Sequence, residues 1–191
     1  MARVLRAARR VLLQGETLLS GMERQGLDGV YGRPCTVVGA SIGAHTRHTL
    51  DHFNCIVDAV LDKKGLGGGL VQYDKRLRGG DVESSLTSAV ESLFECSEKM
   101  GKIDPEWLTL PLNVEFCLEG KDGFTEVMSS NGERELWFAA HHAIHHAAMI
   151  KLIVQCCDCP TERELFRKAI PLDFGMAPST IAATSESIEE K

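Results

Sequence analysis

Residues 133–155, Glu133-Arg-Glu-Leu-Trp-Phe-Ala-Ala-His141-His142-Ala-Ile-His145-His146-Ala-Ala-Met-Ile-Lys-Leu-Ile-Val-Gln155, decide how the rest of the chain is read. The stretch holds no proline or glycine and is rich in Ala, Leu and Ile, so it predicts one long helix. At about 100° per residue, Leu136, Ala140, Ala143, Ala147, Ile150 and Val154 fall within a band of about 80°. His142 and His146 lie near the edge of that band, and His141 and His145 lie nearly opposite. A site facing inward therefore prefers 142 and 146. The preference is softened by Trp137, Ile144 and Leu152, which leave the helix apolar almost all round. Ser130-Asn-Gly-Glu133 predicts a capping box at its start.

All seven histidines of the chain fall in two clusters, this one and His45, His48 and His52. The first cluster shares one face of a helix, and the second contains the i,i+4 pairs 141/145 and 142/146. Two such helices side by side can close a metal site between them. The competing reading is a set of helix-end and core imidazoles bonded to backbone. On the wheel of the earlier helix, His45 and His52 lie somewhat nearer the core stripe than His48, so spacing alone leaves the first ligand open.

Outward from these clusters, apolar positions at Val4, Ala8, Val11, Leu12, Leu18, Leu19 and Met22 predict a first helix over 3–24. It runs straight through Arg3, Arg6, Arg9 and Arg10, so a first core helix accounts for more residues than an Arg-rich presequence does. Gly26 and Gly29 end it. Ser41 is the expected N-cap of a second helix reaching Asp62, with Lys63-Lys64-Gly65 at its end and Leu50, Phe53, Val57, Val60 and Leu61 as its core stripe. A Gly-rich loop from Gly65 to Gly80 leads to a third helix over 84–101, with Leu86, Val90, Leu93 and Phe94 inside.

The period then changes from helical to two. Leu108, Leu110, Leu112, Val114, Phe116 and Leu118 alternate, Glu119–Gly123 is a turn, and Phe124–Met128 can pair back, which predicts a β-hairpin between helices three and four. Thr161-Glu-Arg-Glu164 predicts a capped short helix ended by Ile170-Pro171, and the Ser/Thr/Glu-rich residues 181–191 read as a disordered tail after one domain over 1–180.

Bulk composition narrows the function classes. With 43% hydrophobic and 25% charged residues the chain reads as soluble and globular. A net charge of −6 without a basic patch argues against nucleic acid, and no apolar run reaches a bilayer span. Seven cysteines with no signal peptide suggest a reducing, cytoplasmic setting, with Cys156-Cys157-Asp158-Cys159 as a thiol group that reads more simply as a loop. A homodimer is left open. No serine elbow, phosphate loop or dinucleotide fingerprint occurs, and Gly67-Gly68-Gly69 follows no expected strand.

Three stretches resemble the DinB-like family, the group that includes YfiT-type thiol transferases. Ser41-Ile-Gly-Ala-His-Thr-Arg-His48-Thr-Leu-Asp51 is similar to its second-helix motif, a capped start followed by His-x-x-Asp. Arg134 to His146 is similar to its fourth-helix His-x-x-x-His, and Tyr73-Asp-Lys-Arg-Leu-Arg78 with Phe174-Gly-Met-Ala-Pro-Ser-Thr180 looks like a narrower subgroup's marks. The resemblance implies a mainly α fold, a four-helix bundle of DinB/YfiT type, and a divalent metal held by His48, His142 and His146. The four further histidines depart from the simple pattern.

Three neutral imidazoles leave coordination positions open, the catalytic rather than the structural pattern for zinc, and the same set suits Ni(II) or Fe(II). Such a site can activate water or a small thiol. The resemblance thus implies a metal-dependent transferase or isomerase using a small thiol; the alternative is a non-catalytic metal-binding or stress-related bundle. Asp51 reads equally as an acceptor orienting a ligand or as a salt-bridge partner. Arg47, Asp74, Arg76, Arg78, Arg134 and Glu135 read either as a pocket rim for an anionic cosubstrate or, more economically given their mixed signs, as ion pairs pinning the Gly-rich loop.

Overall fold

The computed structural model describes residues 2–63, 66–75, 80–117 and 124–189, with side chains up to 183. Four long helices carry the core: α1 (Arg3–Arg24), α3 (Ile42–Asp62), α4 (Leu86–Gly101) and α5 (Gly132–Gln155). Shorter helices are α2 (Asp28–Tyr31), α6 (Pro160–Ala169) and α7 (Pro178–Glu189). The molecule is mainly helical, with a small three-stranded sheet of β1 (Gly69–Gln72), β2 (Pro111–Cys117) and β3 (Thr125–Asn131).

The apolar stripes of the long helices meet as their spacing predicts. α1 packs on α4 and α5, and α3 packs on α4 and α5. Leu12, Phe53, Ile56, Met100 and Leu136 are among the side chains this buries completely or nearly so. Burial of each such side chain is worth about 1.5–3 kcal/mol, so the shared face holds the elements in register. Ser41 caps α3 as expected: its Oγ accepts the Ala44 N–H at 3.0 Å. Gly26, at φ +68°, turns the chain out of α1, a left-handed conformation in which glycine pays no Cβ penalty.

β2 and β3 form the expected antiparallel pair, with Leu112 opposite Ser130 and Val114 opposite Met128. The turn at Glu119–Gly123 lies outside the described residues, as do Lys64, Gly65, Arg76, Leu77 and Arg78. β1 was not foreseen, since the Gly-rich stretch reads as loop. Its four residues run parallel to β2, with Gly69 opposite Leu112 and Val71 opposite Val114. A Cβ on Gly69 would stand 2.3 Å from the Ala59 carbonyl oxygen. That glycine lets the strand lie directly against α3, a tertiary demand that local periodicity does not encode.

Four other expectations change. Ser130 stays in β3, and α5 is capped by Asn131, whose side chain accepts the Arg134 N–H at 2.9 Å. α6 begins at Pro160, at N1, with Thr161 already inside the helix; the fixed φ of proline replaces the capping box. Phe94 points outward, 55% exposed, because its neighbour Leu93 takes the core face of α4 and adjacent helical residues diverge by about 100°. Residues 178–189 are helical where composition led us to expect a disordered tail from 181; Pro178 at the start and the alanines at 182 and 183 favour a helix locally.

Candidate metal centre

α3 and α5 lie side by side, and each brings its histidines to the seam. His48 Nε2 is 3.0 Å from His142 Nε2, and His142 Nε2 is 3.0 Å from His146 Nε2. The ligand nitrogens of these three residues all lie within 4.8 Å of one another, the one such group of His, Cys, Asp or Glu among the described residues. The 142/146 pair is one turn apart on α5, and His48 of α3 faces that turn.

The donor set fits a cation. Neutral imidazoles meeting nitrogen to nitrogen can place one proton in each contact, and a third lone pair at the same point is left facing the others. Nitrogens around a tetrahedral ion with bonds of 2.0–2.1 Å stand about 3.3 Å apart, close to the spacing seen here. A metal also requires neutral rings. Burial, followed by the neighbouring imidazoles of His142, His48, His45 and His145, holds the His146 pKa down at about 3.

His45 and His52 flank this triad. His45 Nδ1 is 2.7 Å from His146 Nδ1, and burial followed by His145 lowers its pKa. His52 is 7% exposed and its Nδ1 donates to the His48 carbonyl at 3.0 Å. The wheel reading was right that His52 is the more buried, but burial is not ligand direction. His141 and His145 are exposed, and His141 stacks on Trp137. Asp51 faces Arg47, Oδ2 to Nε 3.9 Å, and Arg47 also pairs with Glu83.

Around the site, the polar residues act as pins. Glu135 is fully buried and accepts from Tyr73 Oη, Ser130 Oγ and Arg134 Nη1. This ties the segment after β1 and the end of β3 to the first turns of α5. Burial, then the Glu135 carboxylate, pushes the Tyr73 phenol far above its ordinary range. Asp74 accepts the Cys117 N–H at 2.6 Å. A cavity of about 440 Å³ adjoins the triad, lined in part by His52, Tyr73, Phe116, Met128, Arg134 and Phe138. His52 and Phe138 are its shared wall: their rings lie 4.5 and 5.7 Å from that of His142.

Sequence reading missed one juxtaposition. Cys35, remote in the chain, lines the same cavity of about 300 Å³ as Cys156, Cys157 and Cys159. None of the seven cysteines is in a disulfide. Cys157 donates to Glu162 and burial raises its pKa; burial pushes the thiols of Cys55 and Cys96 up to about 12, where they are inert. Among the described residues, no helix is long and apolar enough to cross a membrane.

No family model matches the chain, and no solved structure matches it. It is 30% identical over 112 residues to FK506-binding protein 5 of Rhizopus delemar. That alignment takes in 59% of this chain and 27% of the relative, so the chain spans about a quarter of that protein's length.

Proposed function

We propose that this protein is a DinB-like four-helix bundle that holds a divalent transition ion, Zn, Ni or Fe, on His48, His142 and His146, and that the site serves a transferase or isomerase reaction of a small thiol. The observation that carries the metal reading is the convergence of three imidazole nitrogens from two helices within 4.8 Å. The pairing of α1 and α3 each with α4 and α5 supports the bundle. A bound ion would supply an open position at which water or a thiol is acidified.

The chain's own residues define what surrounds that position. The ligand atoms that lie within 4.8 Å of one another belong to His48, His142 and His146, and among the described residues neither His45 nor His52 joins that group. Among the described residues the cavity beside His52 and Phe138 is lined by the apolar Val114, Phe116 and Met128 and by the charged Asp74, Arg134 and Glu135. The nucleophile of the proposed reaction is the small thiol itself. In such a transfer the thiol sulfur forms a bond to an electrophilic carbon, the leaving group departs with the bonding pair, and the thiol proton goes to solvent.

The test has two stages. Metal analysis of purified protein is expected to give about one divalent ion per chain. Holo protein, stripped protein and His142→Ala are then compared with a panel of cellular thiols and an activated aryl halide. Faster conjugation by the holo protein alone supports the enzyme. Equal background rates in all three, with every thiol and metal tried, would replace it with a non-catalytic metal-binding bundle.

A further inference from the structure

A further cavity, of about 560 Å³, lies between the first half of α1, the middle of α5 and the start of α7. None of the triad residues lines it. Its size falls in the range of small-molecule pockets. Its floor is apolar, with Val11, Ile144 and Ile181, and Arg3, Arg6 and Arg10 enter from one face of α1. Among the described residues no Asp or Glu lines it, in a chain whose net charge is −6.

The charges here are arranged against the protein's own interest. The first turn of α1 contains no acidic residue and no side chain caps it. Arg3 and Arg6 therefore sit near the positive end of a helix dipole, where like charge is unfavourable. Arg10 pairs with Asp173 at 2.9 Å, but among the described residues the guanidinium groups of Arg3 and Arg6 have no hydrogen-bond or ion-pair partner. Beside them Trp137 is 58% exposed, a large apolar ring left in contact with water. It lies parallel to His141, with centroids 5.6 Å apart and an interplanar angle of 10°. Two parallel rings and the guanidinium groups of Arg3 and Arg6 line one largely apolar cavity, which makes it an amphipathic receptor.

We propose that this cavity binds a small aromatic anion, a flat ring bearing a carboxylate or phosphate. The ring lies against Trp137 and His141 over the apolar floor, and Arg3 and Arg6 take the acid group. Guanidinium forks match the two oxygens of such a group. The parallel ring wall favours a flat ligand over an alkyl chain, and the concave shape favours a small molecule over a surface partner.

Naphthalene-2-carboxylate is the probe, with octanoate as the aliphatic anion and 2-naphthalenemethanol as the neutral ring. Affinity is read by calorimetry. Location is read by quenching of Trp137 in Trp107→Phe, which leaves one of the chain's two tryptophans. The expected result is saturable single-site binding of the naphthoate that weakens with added salt. Arg3→Ala with Arg6→Ala should cost at least about tenfold in affinity, since hydrogen bonds between charged groups are involved. Trp137→Ala should weaken binding similarly, and all these variants should keep the metal content and thermal midpoint of the wild type. Three results would each overturn the proposal: no saturable binding, equal affinity for the neutral ring, or indifference to the arginine substitutions. Octanoate binding as tightly as the naphthoate would overturn the aromatic class.

Discussion

His45 meets His146 nitrogen to nitrogen, Nδ1 to Nδ1, at 2.7 Å. One proton serves that contact. If His146 offers its Nε2 lone pair toward His48 and His142, its proton sits on Nδ1 and is donated to His45. His45 then carries its own proton on Nε2, an atom that is buried with no partner among the described residues. His45 is thus a positioning residue that fixes the tautomer and angle of His146. His45→Ala should weaken divalent metal binding by about 10- to 100-fold without abolishing it. Titration with a competing chelator measures this; wild-type affinity in the variant would remove the role.

The triad itself should behave differently. His48→Ala, His142→Ala and His146→Ala should each leave purified protein essentially free of tight-bound metal, and His141→Ala should leave metal content unchanged. Elemental analysis with protein quantitation is the check. Retention by His48→Ala with loss in His52→Ala would move the first ligand one turn along α3.

Acid should destabilise the metal-stripped protein through His146. Its folded pKa is held at about 3, below the about 6.5 of an unfolded histidine. Above about pH 6.5 neither state binds the proton and the stability is intact. Between about 6.5 and 3 the unfolded chain binds a proton that the folded one refuses, so stability falls as pH falls. Urea midpoints against pH should slope downward over this window in stripped wild type and less steeply in His146→Gln. Parallel slopes would show that other groups carry the acid response.

Glu135 joins three segments from a fully buried position, and its loss should be felt in folding. Glu135→Ala leaves the Tyr73 and Ser130 donors unmatched and should cost about 1–3 kcal/mol for each donor that stays buried. Tyr73→Phe removes one charge-assisted bond and should cost about 1.5–3 kcal/mol. Denaturant titration of stripped protein isolates the effect from metal binding. A Glu135→Ala variant as stable as wild type would mean that the network contributes nothing net.

Local chemistry made most of the scaffold legible. The apolar spacing of Leu136, Ala140, Ala143, Ala147, Ile150 and Val154 gives a helix face that is buried throughout, because a helix repeats its geometry from residue to residue. The hydroxyl of Ser41 caps α3 for the same local reason. The switch to period two at Leu112 and Val114 marked the hairpin, since alternate strand residues share a face. His142 and His146 were separable from His141 and His145 by angle alone.

What remained hidden required contacts between distant segments. β1 exists because glycine at position 69 fits against Ala59 and because β2 offers it an open edge; four residues with little periodicity announce neither. Helix α3 presents three histidines, and angle could not choose among them. His48 reaches the seam while His52 turns back to its own helix's carbonyl and His45 reaches behind His146, and these directions depend on how α5 lies across α3. Sequence by itself therefore determined the helices and which of their faces could carry a site. Only the tertiary structure decided which nitrogens meet, because side-chain direction is set by the neighbour each ring packs against.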